Sequence, residues 1–362
     1  MTEAAARHPA LVARSGPPGL RALPRGVVIV GLALLLLVAA VASAGIGAAG
    51  IPPGRLLAAL GLADGSAADI ARDRLILFSI RLPRVVMAVA VGALLATAGA
   101  IMQGLFRNPL ADPGLVGVSA GAGLAAATTI VLGDKLFGGI VGLEALPAAA
   151  FVGALGVTAL LYRIATREGR TSIATLLLAG LAVAALAGAG TGLLIFLADD
   201  RQLRDITFWT LGSMAGATWP KVWAMLPFLA AVLVSLPMIA RGLDLLVLGE
   251  AEAFHMGVPV ENLKRFAIVL MAAAVGAAVA ASGVIGFVGI VVPHLLRLVI
   301  GPGHRMLLPA AVLFGGLVLL IADTIARTVA APAELPVGIV TALIGAPFFL
   351  ALLLRQRAVV GL

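Results

Sequence analysis

The chain contains no cysteine, which excludes disulfides and thiolate metal sites. Charged residues are also scarce, at 12% of the sequence, whereas 62% of the residues are hydrophobic and the mean hydropathy is +1.15. Soluble chains of 362 residues have fewer hydrophobic and more charged residues than this, so the composition predicts a polytopic membrane protein. Its 44 glycines favour close packing of the helices. The net charge of +8 fits anchoring to anionic lipid and does not indicate nucleic-acid binding.

Lysine is rare as well, and this bears on the energy source. The three lysines, Lys135, Lys221 and Lys264, follow Asp, Pro and Leu, so a Gly-Lys-Ser/Thr phosphate loop is excluded. If ATP drives transport, the ATPase must be another chain. The four histidines lack metal-ligand spacing, and no Ser/His/Asp or His-Glu-x-x-His arrangement indicates an enzyme. We therefore expect neither catalysis nor a metal site in this chain.

Ten apolar segments are separated by glycine, proline or charged residues, and together they predict an all-α membrane protein. The segments lie at about 26–50, 83–106, 114–133, 140–162, 173–198, 219–240, 265–284, 286–300, 307–330 and 336–354. The eighth is short and contains Gly286, Gly289 and Pro293, so we expect a broken helix that lines a cavity. The domain organisation follows as an N-terminal tail over 1–25 and one transmembrane domain over 26–362.

The distribution of Lys and Arg predicts the orientation. Ten spans place both termini on one side, and with the termini inside, the inner loops hold 15 of the 25 Lys and Arg residues. This bias predicts cytoplasmic N- and C-termini. A secretory signal peptide is the alternative for residues 1–45, because an Arg-containing start and an apolar run precede small residues near Ser43.

The segment from Asn108 to Gly114, NPLADPG, contains two turn signals at the predicted cytoplasmic end of the second span. Non-helical backbone within a membrane is stable only where protein or water satisfies its polar groups. One interpretation is a gate at the mouth of a pore, with Asn108 and Leu110 facing inward. The alternative is an ordinary connection between helices.

A loop after the sixth span contains a short predicted helix between Gly249 and Gly257. Ala251, Phe254 and His255 share one face of this helix, at i, i+3 and i+4 spacing. An exposed apolar face on a membrane protein favours a docking partner. The alternative is a solvated connector.

Asp323 and Arg327 lie one helical turn apart in the ninth span. Charges inside a membrane usually indicate function, although an i, i+4 pair also neutralises itself. Asp323 is nearly the only acid within a span. An ion-coupled secondary carrier needs ionisable groups near the midplane, so this scarcity argues against that class.

With these motifs, the chain resembles the FecCD family, the permease subunits of ATP-binding-cassette (ABC) importers for vitamin B12, iron–siderophores and haem. The resemblance covers about 26–354 and rests on RLPR (81–84), GAIMQGLFRNPLADPGLVGVSAGA (99–122), LLLAG (176–180), FWTLGSM (208–214), LGEAEAFHMGV (248–258), GVIGFVGIVVPHLLR (283–297), ADTIAR (322–327) and ELPVGIVTALIGAPFF (334–349). It implies the type II importer permease fold and a homodimer in the bacterial inner membrane. It also implies two cytoplasmic ABC ATPases that bind ATP and Mg, a periplasmic substrate-binding protein, and no cofactor on this chain.

The resemblance also implies roles for individual residues. The family arginines that grip glutamates of the binding protein match Arg81, Arg84 and Arg327, for which anchoring by snorkelling is the alternative. The cytoplasmic gate matches Asn108 and Leu110. A second gate before the fifth span is Ser/Thr-rich in the vitamin B12 permease, and here it reads TSIA (171–174), with Thr171 and Ser172. The ATPase-coupling helices match 243–258 within a loop at about 241–264, with these candidate contacts: Leu246, Gly249, Glu250, Phe254 and Gly257.

The segment 197–212, LADDRQLRDITFWTLG, together with GEAEA (249–253) and ENLKR (261–265), resembles the haem-importing branch most. Haem is a flat apolar ring with two carboxylates, which Arg201 and Arg204 are able to bind while Phe208 and Trp209 contact the ring. The alternative is an outer helix that holds the dimer, with nearby aspartates neutralising both arginines. Ferric siderophore is the alternative substrate, and vitamin B12 is a further one.

Overall fold

The computed structural model describes residues 24–47, 50–137, 143–168 and 170–360. The predicted tail over 1–25 lies almost wholly outside the described residues. The α-helices are α1 Arg25–Gly45, α2 Pro53–Ala59, α3 Ala67–Leu75, α4 Leu82–Leu105, α5 Val118–Phe137, α6 Leu146–Ala165, α7 Ile173–Leu197, α8 Asp200–Leu211, α9 Trp219–Leu246, α10 Glu250–His255, α11 Val260–Ser282, α12 Val288–Ile300, α13 His304–Val329 and α14 Val337–Val360. A hairpin of two-residue strands, β1 Thr166–Arg167 and β2 Arg170–Thr171, joins α6 to α7.

The predicted helical membrane fold is confirmed. Seven helical stretches, counted over the described residues, are long and apolar enough to cross a membrane, and three shorter apolar helices accompany them. Together they correspond to the ten predicted segments, and the shorter three are Val118–Gly133, Val288–Ile300 and Val337–Leu352. The sequence prediction missed the small hairpin, because two residues are too few to produce a period-2 pattern.

Helix α4 forms the centre of the bundle and continues α3 through a π-helical turn, Ile76–Arg81. Most of its side chains are buried against α9, α11, α12 and α13. A Cβ atom at Gly92 would overlap the carbonyl group of Gly315 on α13, and one at Gly99 would overlap Gly289 on α12. Glycine at these positions therefore lets three backbones approach closely, as in other membrane helix pairs.

Helices α5, α6 and α7 pack as a second group, and α11 joins this group to α4. Gly121 on α5 faces Gly153 on α6 so closely that a Cβ on either residue would come within 3.0 Å of the other's backbone. The bundle is therefore held by small-residue contacts and apolar side chains. Many outward side chains of α1, α7 and α14 are apolar and exposed, as expected for surfaces that face lipid or a further subunit.

The loops divide between the two ends of the bundle. We use the term α3 end for the side with residues 44–47, 50–84, 199–219, 283–287 and 330–336, and α10 end for the side with residues 106–117, 166–168, 170–172, 247–259 and 301–304. Hydrogen bonds join neighbouring segments within each end. Trp219 donates to the carbonyl of Phe78 at the α3 end, and the His304 amide donates to Asp244 at the α10 end.

The prediction of a break within the eighth segment is wrong in its position. Helix α12 is continuous across Gly289 and Pro293 and begins after Phe287, which has a left-handed backbone with φ +67°. The irregular backbone lies before the helix, at residues 283–287. Gly289 is instead the contact point for α4, so a packing requirement accounts for one of the three residues that had suggested a break.

Candidate functional site

Arg84 lies in the first turn of α4 at the α3 end and is 7% exposed. Its guanidinium donates to both oxygens of Asp323 on α13, at 2.8 to 3.1 Å, and to both oxygens of Glu334, at 2.9 Å. Asp323 is 1% exposed, so a buried carboxylate is neutralised by an arginine from another helix. The predicted pairing of Asp323 with Arg327 is the weaker contact, at 3.9 Å.

The other two arginines of this cluster hold the carboxyl end of α1. Arg81 donates to the carbonyls of Ala44 and Gly45 at 2.6 and 2.8 Å, and Arg327 donates to the carbonyl of Ser43 at 2.6 Å. The last carbonyls of a helix carry partial negative charge, so guanidinium groups stabilise them. Both arginines are buried, although the sequence prediction had them at a docking surface. Their docking role stays a prediction, and it requires these side chains to leave α1.

The turn after α4 is ordered by its own side chains. The Asn108 side-chain oxygen accepts the N–H group of Leu110 at 3.0 Å, and Asp112 accepts that of Gly114 at 2.7 Å. Asn108 is exposed and Leu110 is half-buried. Burial raises the pKa of the Asp112 carboxyl, which the hydrogen bond from Gly114 partly offsets. Both turn signals thus form the local side-chain turns that Asn and Asp favour, and the gating role of Asn108 and Leu110 stays a prediction.

The second predicted gate, Thr171 and Ser172, lies where β2 meets α7. Thr171 is buried, and its hydroxyl is 3.1 Å from that of Thr166 on β1. Ser172 is exposed and caps α7 by accepting the N–H group of Thr175 at 3.3 Å. Both residues therefore have a local structural role, and gating by either of them stays a prediction.

The predicted short helix between two glycines is confirmed as α10. Gly249 and Gly257 bracket it with φ values of +132° and +82°, which L side chains rarely adopt. Leu246, before the helix, is buried and anchors the segment, whereas Phe254 is 68% exposed. Among the described residues other than its two chain neighbours, no atom lies within 4 Å of a Cβ built at Gly257. An aromatic side chain and an open glycine thus lie at the surface of the α10 end, as a docking helix requires.

A groove of about 760 Å³ joins α10 to the β2–α7 junction. It is lined by Arg170, Thr171, Ser172, Glu250, Ala251, Phe254, His255, Pro259, Val260, Glu261, Asn262 and Lys264. The predicted coupling segment and the second predicted gate thus share one surface. Their separation along the chain gave no sign of this contact.

Helix α8 lies at the α3 end and begins with a capping box formed by Asp199 and Gln202. Ile206 is buried on one face, and Arg201, Arg204 and Phe208 are exposed on the opposite face. Within the described residues, no carboxylate lies within ion-pair distance of Arg201 or Arg204, so the alternative of local neutralisation is not seen.

A cavity of about 250 Å³ lies beside α8. Phe208 and Trp209 line it, together with Asp205 and Lys221. The two arginines do not line it. Lys221 is a lining residue that the sequence analysis did not select, because one lysine in the first turn of a span gives no pattern.

These features define a class of protein: a polytopic helical membrane protein, with apolar outer faces and its bonded charge clusters at the two ends of the bundle. The FecCD transport family matches residues 35–355, and the chain belongs to this family, whose members are permeases of ABC importers.

Relatives support the same assignment. The chain is 48% identical to the hemin transport system permease of Yersinia pestis, over 77% of this chain and 83% of the relative. It is 46% identical to the cobalamin import permease of Halobacterium salinarum, over 79% and 75%, and 42% identical to the vitamin B12 import permease of Klebsiella pneumoniae, over 90% and 93%. A solved metal-chelate type ABC transporter, in an inward-facing conformation, is 34% identical with a TM-score of 0.79, over 91% of this chain and 99% of that chain.

Proposed function

We propose that this chain is the permease subunit of an ATP-driven importer that moves haem across the bacterial inner membrane. The hemin permease of Yersinia pestis and the vitamin B12 permeases are similar enough that identity alone does not select a substrate. The observation that carries the proposal is the exposed face of α8.

Arg201, Arg204 and Phe208 follow one another at i, i+3 and i+7, which places them on one helical face. The two arginines are about 4.5 Å apart along the helix axis, and Phe208 follows about 6 Å further on. Both guanidinium groups lack a carboxylate partner among the described residues. Two cations beside an aromatic ring suit a flat apolar molecule with two carboxylates. Ferric siderophore is the alternative substrate that the metal-chelate type neighbour favours.

The proposal includes the partners. Because the sequence has no phosphate loop, two separate ABC ATPases supply ATP hydrolysis with Mg, and we assign them to α10. We assign a periplasmic binding protein to the α3 end, and a second copy of the chain to the exposed apolar faces. Both termini and the α10 end are then cytoplasmic. The chain itself needs no cofactor, since haem is the substrate.

Reconstituted vesicles test the substrate. The complex of permease, ATPase and binding protein should move haem only when ATP is present on the ATPase side, and should not move ferrichrome or cobalamin. Transport of ferrichrome instead of haem would establish the siderophore alternative. Haem uptake without ATP would indicate a secondary carrier.

Substitutions in α8 test its role in recognition. Arg201→Ala with Arg204→Ala should lower haem uptake about tenfold, as expected when charge-assisted contacts are lost. Arg72→Ala is the matched control, because Arg72 is an exposed arginine at the same end. If the double variant transports haem normally, and exchange of the binding protein alone changes the substrate, then α8 has no part in recognition.

A further inference from the structure

Lys264 is one of three lysines in the chain, and its side chain is only 2% exposed. It lies in the second turn of α11 at the α10 end. Its ammonium group donates to Glu250 at 2.6 Å, to Glu261 at 3.1 Å and to the carbonyl of Thr171 at 3.3 Å. A lysine ammonium has three N–H donors, so all three are used.

The same cluster binds both backbone groups of Thr171, the N–H and the C=O. The N–H group of Thr171 donates to one oxygen of Glu261 at 3.0 Å, and the other oxygen of Glu261 binds Lys264. The ammonium group of Lys264 also donates a hydrogen bond to the carbonyl of Thr171. This closed ring fixes the last residue of β2, directly before the cap of α7.

Glu250 connects this ring to α10, since it is the first residue of that helix and is bound by Lys264. When Glu250 moves away, the buried ammonium group of Lys264 loses one of its two carboxylate partners and the shortest of its three hydrogen bonds, and the vacated donor is left unpaired at a cost. The cluster therefore resists a partial opening, in which α10 moves away from Lys264 while β2 stays in place. Packed and hydrogen-bonded groups of this kind move together between discrete arrangements.

We infer that Lys264 is a positioning residue that fixes α10 and β2 to each other, so that a displacement of α10 is carried to the start of α7. The inference rests on the proposed function in one respect, the docking of the ATPase at α10. It adds to that function a mechanical link between the ATPase contact and the segment with Thr171 and Ser172. The link does not depend on the substrate.

The ratio of substrate transported to ATP hydrolysed measures this link. In complexes isolated with the ATPase bound, Glu250→Gln should lower the ratio about fivefold, a coupling loss of about 1 kcal/mol. Glu252→Gln is the matched control, because Glu252 is exposed on the same helix and has no ion pair among the described residues. Lys264→Met should lower the ratio further; if this variant does not fold, Glu250→Gln decides. An equal ratio for Glu250→Gln and Glu252→Gln would overturn the inference.

A second measurement is independent of the substrate and therefore separates this inference from the haem assignment. Arg170→Cys and Ala251→Cys introduce a pair across the groove in a chain without other cysteines. With Lys264 and Glu250 intact, the cross-linking yield should be the same with and without ATP on the partner. In the presence of Glu250→Gln, the cross-linking yield should differ between the ATP-bound and the ATP-free complex. A yield that changes equally in the parent pair would show that α10 and β2 move separately, and would refute the link.

Discussion

Replacement of Arg84 by Met tests the charge cluster at the α3 end. The substitution removes the contacts of the guanidinium with Asp323 and Glu334. The Asp323 side chain is only 1% exposed, and within the described part its nearest remaining cation is Arg327, 3.9 Å away. Loss of one partner of a buried ion pair costs about 3–5 kcal/mol, because the other charge stays buried. Glu334 adds little, since its side chain is 41% exposed.

Thermal unfolding of the purified permease in detergent measures this cost. A loss of about 4 kcal/mol corresponds to a fall in Tm of about 5 °C for a chain of this length. Arg72→Met removes an exposed arginine from the same continuous helix and should leave Tm within about 1 °C. If Arg84→Met were as stable as Arg72→Met, the buried ion pair between Arg84 and Asp323 would not stabilise this conformation.

Two further predictions concern the partners. The purified chain should hydrolyse no ATP, and Phe254→Asp with Gly257→Asp should abolish binding of the partner ATPase, because a charge enters an exposed apolar face. Phe254→Asp alone should weaken this binding without lowering Tm, whereas Gly257→Asp adds backbone strain at φ +82°. Replacement of Arg81 and Arg327 by Gln should weaken the affinity of the permease for the binding protein about tenfold. The affinity of the unmutated permease should fall as the salt concentration rises, because salt screens the charges that steer the two proteins together.

Each of these predictions has an outcome that contradicts it. Normal ATPase binding and transport by the α10 double variant would remove the docking assignment. For the arginines, Tm must be measured alongside capture, because Arg81 and Arg327 also hold α1. A lower Tm with unchanged capture would make them structural residues only.

The sequence was sufficient for the helical fold because long apolar runs and their Gly and Pro breaks are local signals. The short helix between Gly249 and Gly257 was predictable for the same reason, since two glycines and an apolar face lie within nine residues. The turn at Asn108 was predictable because Asn and Asp form local side-chain turns. These features all depend on neighbours in the chain.

The contacts that join the candidate sites depend on distant residues instead. Arg84 binds Glu334, 250 positions later, and Lys264 binds the carbonyl of Thr171, 93 positions earlier. No periodicity relates such residues, so the sequence alone predicted neither pairing. The three arginines matched a family motif, and the structure adds that they are buried and bonded to α1, Asp323 and Glu334.

The two charge clusters favour a transport cycle in which whole helices move. Between them, α4 contacts its neighbours through apolar side chains and through glycine pairs such as Gly92 with Gly315. Such tight packing leaves little room for gradual bending, so displacement is carried by helices moving as rigid units. The cluster of Arg84 joins α4 to α13, and that of Lys264 joins α10 and β2 to α11. If the partners bind at the two ends as proposed, they act on contacts that determine how these helices are positioned relative to one another.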